Sequence, residues 1–324
     1  MDSNESAVAR PVNSEGREVA HRMRITERQR TAQRLLLAAA EEVYDGDLDV
    51  NWDAPKEAGA PWLPERLSTL YGSDIWASMD PVDRAELLRR ELVNFLSFGI
   101  YAESALTLIL FRDVAENDDL VDDVTRYSLK SIQEESRNSF MFTRLINVVG
   151  LDVYRLSHGK ARALSTLAPM TPSGALSAGV VLMVQEAIHS FVRQIAVDPT
   201  VQSHVRQVMR IHEIADSRHI EFSRAELATA LADLSRPRRL AVGHALAYAA
   251  SRLYPMLLDA RVFTDVGLSE VNAMHTARTG PAGIRTARSM TDSFVRFCGA
   301  NGLFQTPTEK RILRRAGIYA RPGL

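Results

Sequence analysis

One cysteine, Cys298, stands in 324 residues. No internal disulfide is available, so a buried core must hold the fold, and the chain fits a reducing cytoplasm. An excess of one charge is missing as well. The 39 basic and 40 acidic residues leave a formal net charge of −1, so no global field draws the chain to nucleic acid or to an anionic membrane. Residues 1–16 are polar and lack the apolar stretch of a secretion signal. Long uninterrupted hydrophobic runs are scarce. Residues 95–111 are broken by Glu103, and 174–184 run straight into Gln185, Glu186 and His189; both read as buried core helices and not as membrane spans. Sustained period-two alternation and Asn-Gly turns between apolar runs are absent, which argues against a sheet protein. What remains, 46% hydrophobic and 24% charged residues, is the composition of a soluble globular protein and excludes a disordered or collagen-like chain.

Helix start signals recur along the sequence. Asp80-Pro81 predicts a cap and an N1 proline for a helix to about residue 113, and Asp198-Pro199 predicts the same for a helix to about 232. Thr306-Pro307-Thr308-Glu309 is a capping box with proline at N1. Helical patterns also cover about 17–44, 119–148, 174–196, 237–258 and 283–299. The fold class is all-α. Residues 1–16 read as a disordered lead and 17–324 as one helical domain, its core at about 80–233. Residues 45–79 carry all three tryptophans, Trp52, Trp62 and Trp76, together with Pro55, Pro61 and Pro64. They predict an extended segment packed across the core. Arg17, Arg22, Arg24, Arg28, Arg30 and Arg34 crowd the first helix; glutamates are interspersed, so they read as a solvated face and not as a nucleic-acid site.

Carboxylates in apolar surroundings carry the functional signal. Around Glu103 apolar residues cover nearly every helical face, and Glu186 is similarly placed. Burying an unpartnered carboxylate costs several kcal/mol, so each needs an arginine or a metal. Glu186-x-x-His189 and Asp216-x-x-His219 put an acid and an imidazole on one helix face, and His212 extends the second stripe. Roughly one such pair is expected by chance from composition, and Glu18-x-x-His21 is that kind of pair. The set as a whole therefore matters more than any member. Glu135-Ser136-Arg137-Asn138 echoes Asp216-Ser217-Arg218-His219. Ferritin-like carboxylate bundles use a lone Glu from each of two helices and Glu-x-x-His from two others; here Glu103 and Glu186 fill the first role, and the echoing tetrapeptides fill the second. Arg137 and Arg218 fit either an outer layer orienting the carboxylates or salt bridges at the bundle edge.

The chain resembles the p-aminobenzoate N-oxygenase family of ferritin-like dinuclear iron oxygenases. The resemblance runs from about Asp49 to Leu227 and rests on four stretches: Leu70–Trp76, Gly99–Glu103, Glu134–Phe142 and Ile211–Phe222. It implies a ferritin-like bundle with an extended N-terminal segment and extra C-terminal helices. It also implies seven metal ligands, which fall on Glu103, Glu135, Asn138, Glu186, His212, Asp216 and His219. Asn138 stands where the family has histidine and Asp216 where it has glutamate; His189 is a candidate replacement imidazole. The implied cofactor is two iron ions, with a mixed Fe/Mn pair or one weakly held metal as alternatives. The implied reaction oxidises an amine nitrogen of a small metabolite with O2, in secondary metabolism, and draws electrons from a ferredoxin or reductase. A homodimer is compatible with this reading, and neither nucleic acid nor membrane is expected as a partner. Three states of the centre stay open: a complete altered pair, one firm and one weak metal, or a non-catalytic descendant serving as a binding scaffold.

Overall fold

A computed structural model describes residues 27–319. The proposed disordered lead and the first part of the arginine-rich helix lie outside the described residues. Among those described there is no strand, as expected of an all-α chain. The first helix, α1, spans Glu27–Glu41. A 3-10 turn (Glu65–Leu67) and a short α2 (Asp74–Ser78) follow in the tryptophan-rich segment. The long helices are α3 (Pro81–Ala115), α4 (Asp123–Val149), α6 (Ala175–Ala196) and α7 (Ser203–Ala232), with a shorter α5 (His158–Leu167) between the pairs. Beyond them come α8 (Arg236–Leu257), α9 (Arg261–Thr264), α10 (Glu270–Thr279), α11 (Pro281–Ala300) and α12 (Pro307–Arg315).

Local chemistry sets most of these boundaries. The Asp80 side chain accepts hydrogen bonds from the Val82 and Asp83 amides at the start of α3, satisfying donors that have no partner within the helix. Asp122 does the same for Thr125 in α4, which ends at Gly150 with φ of 80°, a left-handed conformation that glycine adopts without a Cβ penalty. The capping box of Thr306 and Glu309 is formed. Asp198-Pro199 is a correction. That pair makes a turn, in which Asp198 binds Thr200 and Arg66, and α7 starts later, at Ser203. The Gln202 side chain is instead tied to Glu57 and Ala60, so the returning tryptophan segment fixes where this helix begins.

Helices α3 and α4 pack as one pair and α6 and α7 as another; α4 meets α7 and α3 meets α6, which closes a ferritin-like four-helix bundle. Phe95 and Phe191 stack across it at 4.8 Å. Helices α3 and α6 are long and apolar enough to cross a membrane by length and composition, yet both contribute to the buried core. Trp52 and Trp76 are buried in that core too, so residues 45–79 form part of the packing, as their aromatic content implies. Arg28 and Arg34 of α1 reach carboxylates on α7, Glu226 and Glu221. These two arginines therefore tie α1 to the bundle.

Candidate metal centre

Each of the four bundle helices turns at least one polar side chain inward at the same level. Glu103 comes from α3, Glu135 and Asn138 from α4, and His212, Asp216 and His219 from α7; all six are at most 2% exposed. Gln185 from α6 completes the ring. His212 Nε2 lies 3.5 Å from Glu103 Oε1 and 3.1 Å from Asp216 Oδ2. His219 Nδ1 lies 3.1 Å from Glu135 Oε1 and 3.9 Å from Asp216 Oδ1. Asp216 thus stands between the two imidazoles. The i, i+4 and i, i+3 spacing of His212, Asp216 and His219 on one helix makes this possible.

A second layer orients these groups. His219 Nε2 is 2.9 Å from Glu134 Oε2, and with the proton on Nε2 the ring turns Nδ1 toward Glu135 and Asp216. Arg218 binds Glu134 and reaches Glu42, so the edge salt bridge and the outer layer considered for it are one and the same. Arg137 donates to the Tyr44 carbonyl and to Asn138 Oδ1. Ser139 donates to Glu103 Oε2, and Phe142 stacks on His212 at 4.9 Å.

The electrostatics are those of a cavity built for positive charge. Burial, and next the charge of Glu135, push the Glu103 carboxyl well above its usual range. Burial alone would lower His219, but Glu135 and Glu134 overcome it and push the imidazole up to about 10. Burial also works against Glu134, yet the His219 hydrogen bond and the charges of His219, Arg218 and Lys130 hold it at about 2. Glu103 Oε1, Asp216 Oδ2 and His219 Nδ1 are buried without a hydrogen-bond partner. Such atoms are costly unless something fills their coordination. One donor atom each from Glu135, Asp216 and His219 lies within 4.8 Å of the others. Carboxylate and imidazole together suit divalent iron or manganese, so the residues present fit a metal centre.

The structure brings together Glu103, Glu135, Asn138, His212, Asp216 and His219. Glu186 makes no hydrogen bond or ion pair with them among the described residues, although its Oε2 is buried without a hydrogen bond. Glu186 Oε1 accepts from Arg224 at 2.9 and 2.6 Å, on the side where Arg224 also meets Ser293 of α11. Its neighbour Gln185 takes the inward place: Gln185 Nε2 donates to Glu135 Oε1 at 3.2 Å, and Ser223 donates to Gln185 Oε1 at 2.7 Å. His189 is half-buried and has no hydrogen bond or ion pair with these groups among the described residues; burial lowers its pKa against the pull of Asp216 and Glu213. Sequence reasoning missed Gln185, Glu134, Ser139 and Ser223. The adjacent pair Gln185-Glu186 was the available signal, since only one of two consecutive helical residues can face the bundle axis.

The family model of p-aminobenzoate N-oxygenase AurF matches residues 25–302. The chain belongs to this family. Membership of the AurF family places it among oxidoreductases with a dinuclear metal centre. No curated protein matches the chain in sequence. Among solved structures, two point variants of an R2-like ligand-binding oxidase with a reconstituted Mn/Fe cofactor are similar in outline. One is 12% identical, with a TM-score of 0.44 over 91% of this chain and 92% of the other. The second is 13% identical, with a TM-score of 0.42 over 91% of each.

Proposed function

We propose that the chain is an oxygenase that uses two divalent metal ions, iron or iron with manganese, to oxidise an amine nitrogen of a small molecule. The observation that carries the reading is the convergence of Glu103, Glu135, His212, Asp216 and His219, with three of their inner atoms buried and lacking a hydrogen bond. One metal would be held by Glu103 and His212 and the other by Glu135 and His219, with the Asp216 carboxylate available to either. Glu186 and His189 fall outside this set. When bound, the metals supply the electrons that activate dioxygen. The net change is R–NH2 + O2 + 2 e− + 2 H+ giving R–NHOH + H2O, with the electrons from an external ferredoxin or reductase.

The protein's own part is to hold and to orient. Glu134 fixes the His219 ring, as outer carboxylates do for metal-bound imidazoles. Ser139 turns Glu103, Gln185 caps one oxygen of Glu135, and Phe142 with its apolar neighbours keeps water away from His212. Asn138 and Gln185 are neutral amides in a ring otherwise made of acids and imidazoles. That favours a second reading, in which one metal is held firmly and the other weakly.

Metal analysis of protein purified without oxygen, followed by rapid mixing with oxygen, tests both. Two equivalents and oxygen consumption support the oxygenase. One equivalent supports the single-metal reading, and none, with no oxygen uptake, supports a binding scaffold.

A further inference from the structure

Basic and acidic residues nearly balance over the whole chain, but α8 and α12 take no part in that balance. Together the two helices carry eight basic residues and one acid, Glu309, which leaves a net charge of −8 on the rest of the chain. Glu309 is 2% exposed and is spent on the capping box with Thr306, so neither helix puts a carboxylate at the surface. The helices pack on each other; a Cβ at Gly243 of α8 would collide with the Glu309 carboxylate of α12. Arg236, Arg238, Arg311, Arg314 and Arg315 are exposed and Lys310 is half-buried. None of these six side chains has an ion pair or hydrogen bond among the described residues. Exposed arginines elsewhere do find acids: Arg126 meets Asp123, Arg261 meets Asp259 and Arg296 meets Asp292.

Local stability does not explain these charges. Arg236 and Arg238 stand in the first turn of α8, where the helix dipole disfavours cations, and the Ser235 side chain provides no cap there. In α12, Arg311 is three and four residues from Arg314 and Arg315, spacings at which like charges repel. Between the cations α8 exposes Leu240, Tyr248 and Met256, and Arg252 lies over the Tyr248 ring at 5.1 Å. Arginine among exposed aromatic and apolar side chains is what protein interfaces are made of, whereas a nucleic-acid backbone is held by cations and hydrogen-bond donors. Behind this face α8 packs on α6: a Cβ at Gly179 of α6 would lie 2.5 Å from Leu246 Cδ1. Gln185, further along α6, reaches Glu135 of the candidate centre. Helix α6 is therefore the layer between the basic face and the centre.

We propose that the face formed by α8 and α12 is the docking surface for an acidic one-electron carrier protein. The assignment rests on the oxygenase function proposed above, whose net reaction needs two external electrons, and names where their donor sits. An acidic carrier is repelled by the rest of this chain and drawn to the one face of opposite sign, which steers its encounter. Each docking passes one electron and leaves the carrier oxidised by one; two dockings supply the two electrons of the reaction. Calorimetric titration of an acidic [2Fe–2S] ferredoxin into the full chain, with and without bound iron, makes the test. Binding is expected in both forms, weakening at least tenfold as salt rises from about 0.1 to about 1 M and the screening length falls from about 10 to about 3 Å. Arg236→Glu with Arg238→Glu on α8, and separately Arg311→Glu with Arg314→Glu on α12, should each weaken it at least tenfold. The α8 pair should leave the melting temperature unchanged or raised, since acids suit a first helical turn. Arg162→Glu, on α5, should change nothing.

Absence of binding overturns the proposal, as does binding that ignores both charge-reversal pairs. A duplex DNA that binds more tightly than the ferredoxin, and is lost in the same variants, overturns it in favour of nucleic acid. A large fall in melting temperature in the α8 pair overturns it in favour of a structural role for those arginines. The titrations need no turnover, and the methyl viologen radical, a small cation, can reduce bound iron without docking on a basic face. A chain that binds the ferredoxin in the expected pattern but consumes no oxygen with either reductant overturns the proposed function and leaves the docking surface standing. A chain that consumes oxygen after reduction by viologen but binds no ferredoxin does the reverse.

Discussion

Gly99 is the place where the packing of the bundle meets the chemistry of the centre. A Cβ built there would lie 2.6 Å from Phe142 Cε2 and 2.9 Å from Cδ2, about 0.8 Å short of ordinary contact. Phe142 cannot simply step aside. It is fully buried, tilted against Phe95 at 6.3 Å and stacked on His212 at 4.9 Å. Two effects oppose each other in Gly99→Ala. Helix propensity favours alanine over glycine by about 1 kcal/mol, while overpacking costs about 1–3 kcal/mol. Gly299, in α11, isolates the first effect, because a Cβ there meets nothing within 4 Å. We expect Gly299→Ala to raise the melting temperature, and Gly99→Ala to fall below it by the overpacking cost. At about 2 °C per kcal/mol for a chain of this size, the gap is about 2–6 °C. Adding Phe142→Leu to Gly99→Ala should recover much of it, with a coupling energy of about 1 kcal/mol or more. Differential scanning calorimetry with and without Fe(II) reads both consequences, since a displaced His212 should also shrink the metal-dependent rise. Equal shifts in the two glycine variants would refute the reasoning.

Metal bound only to the native state stabilises it by about 2.7 kcal/mol at a hundredfold excess over Kd. Chelation should therefore lower the melting temperature, and Glu103→Ala should remove most of that metal-dependent part; identical curves with and without Fe(II) would count against a metal centre. Asn138→His should raise the iron held per chain under saturating Fe(II) without oxygen, as its i, i+3 spacing to Glu135 already sets the new imidazole beside that carboxylate, and no gain would show that the neutral amide is not limiting. Gln185→Glu adds a fourth carboxylate, so it should tighten divalent-metal binding at least tenfold while destabilising the metal-free protein; calorimetric titration with Mn(II) checks the first and thermal unfolding the second. Glu134, held at about 2 in the fold, contributes stability that is complete above the usual carboxylate range and lost as pH falls from about 5 to 2. Its replacement in Glu134→Gln should flatten the acid limb of the stability profile, and an unchanged limb would mean that other carboxylates govern acid unfolding.

Much of this protein is legible in its sequence, because the signals are local. Capping residues and prolines mark α3 and α12 to within a few residues, and the helical periods of α4, α6 and α8 are plain. Glu103, Glu135, His212, Asp216 and His219 announce themselves as polar residues on helices that have no exposed face for them, or as pairs at helical spacing. Local signals failed where a distant segment decided the outcome. Asp198-Pro199 has the chemistry of a helix start, but the tryptophan segment holds Gln202 and moves the start to Ser203. Residues 158–167 and 270–279 form helices α5 and α10 without a strong apolar stripe, so periodicity did not mark them.

The inward face of α6 was beyond the sequence for a related reason. Gln185 and Glu186 are consecutive, equally polar and equally surrounded by apolar residues. Periodicity fixes their relation to each other, about 100° apart around the helix, but not the rotation of the helix against its neighbours. That rotation is set by side chains far away in the chain: Ser223 and Glu135 on one side, Arg224 and Ser293 on the other. The sequence by itself determined which residue types are buried and on which helices. Only the tertiary structure decided which of them share one space, because convergence on a common axis depends on how four helices pack and not on the period of any one.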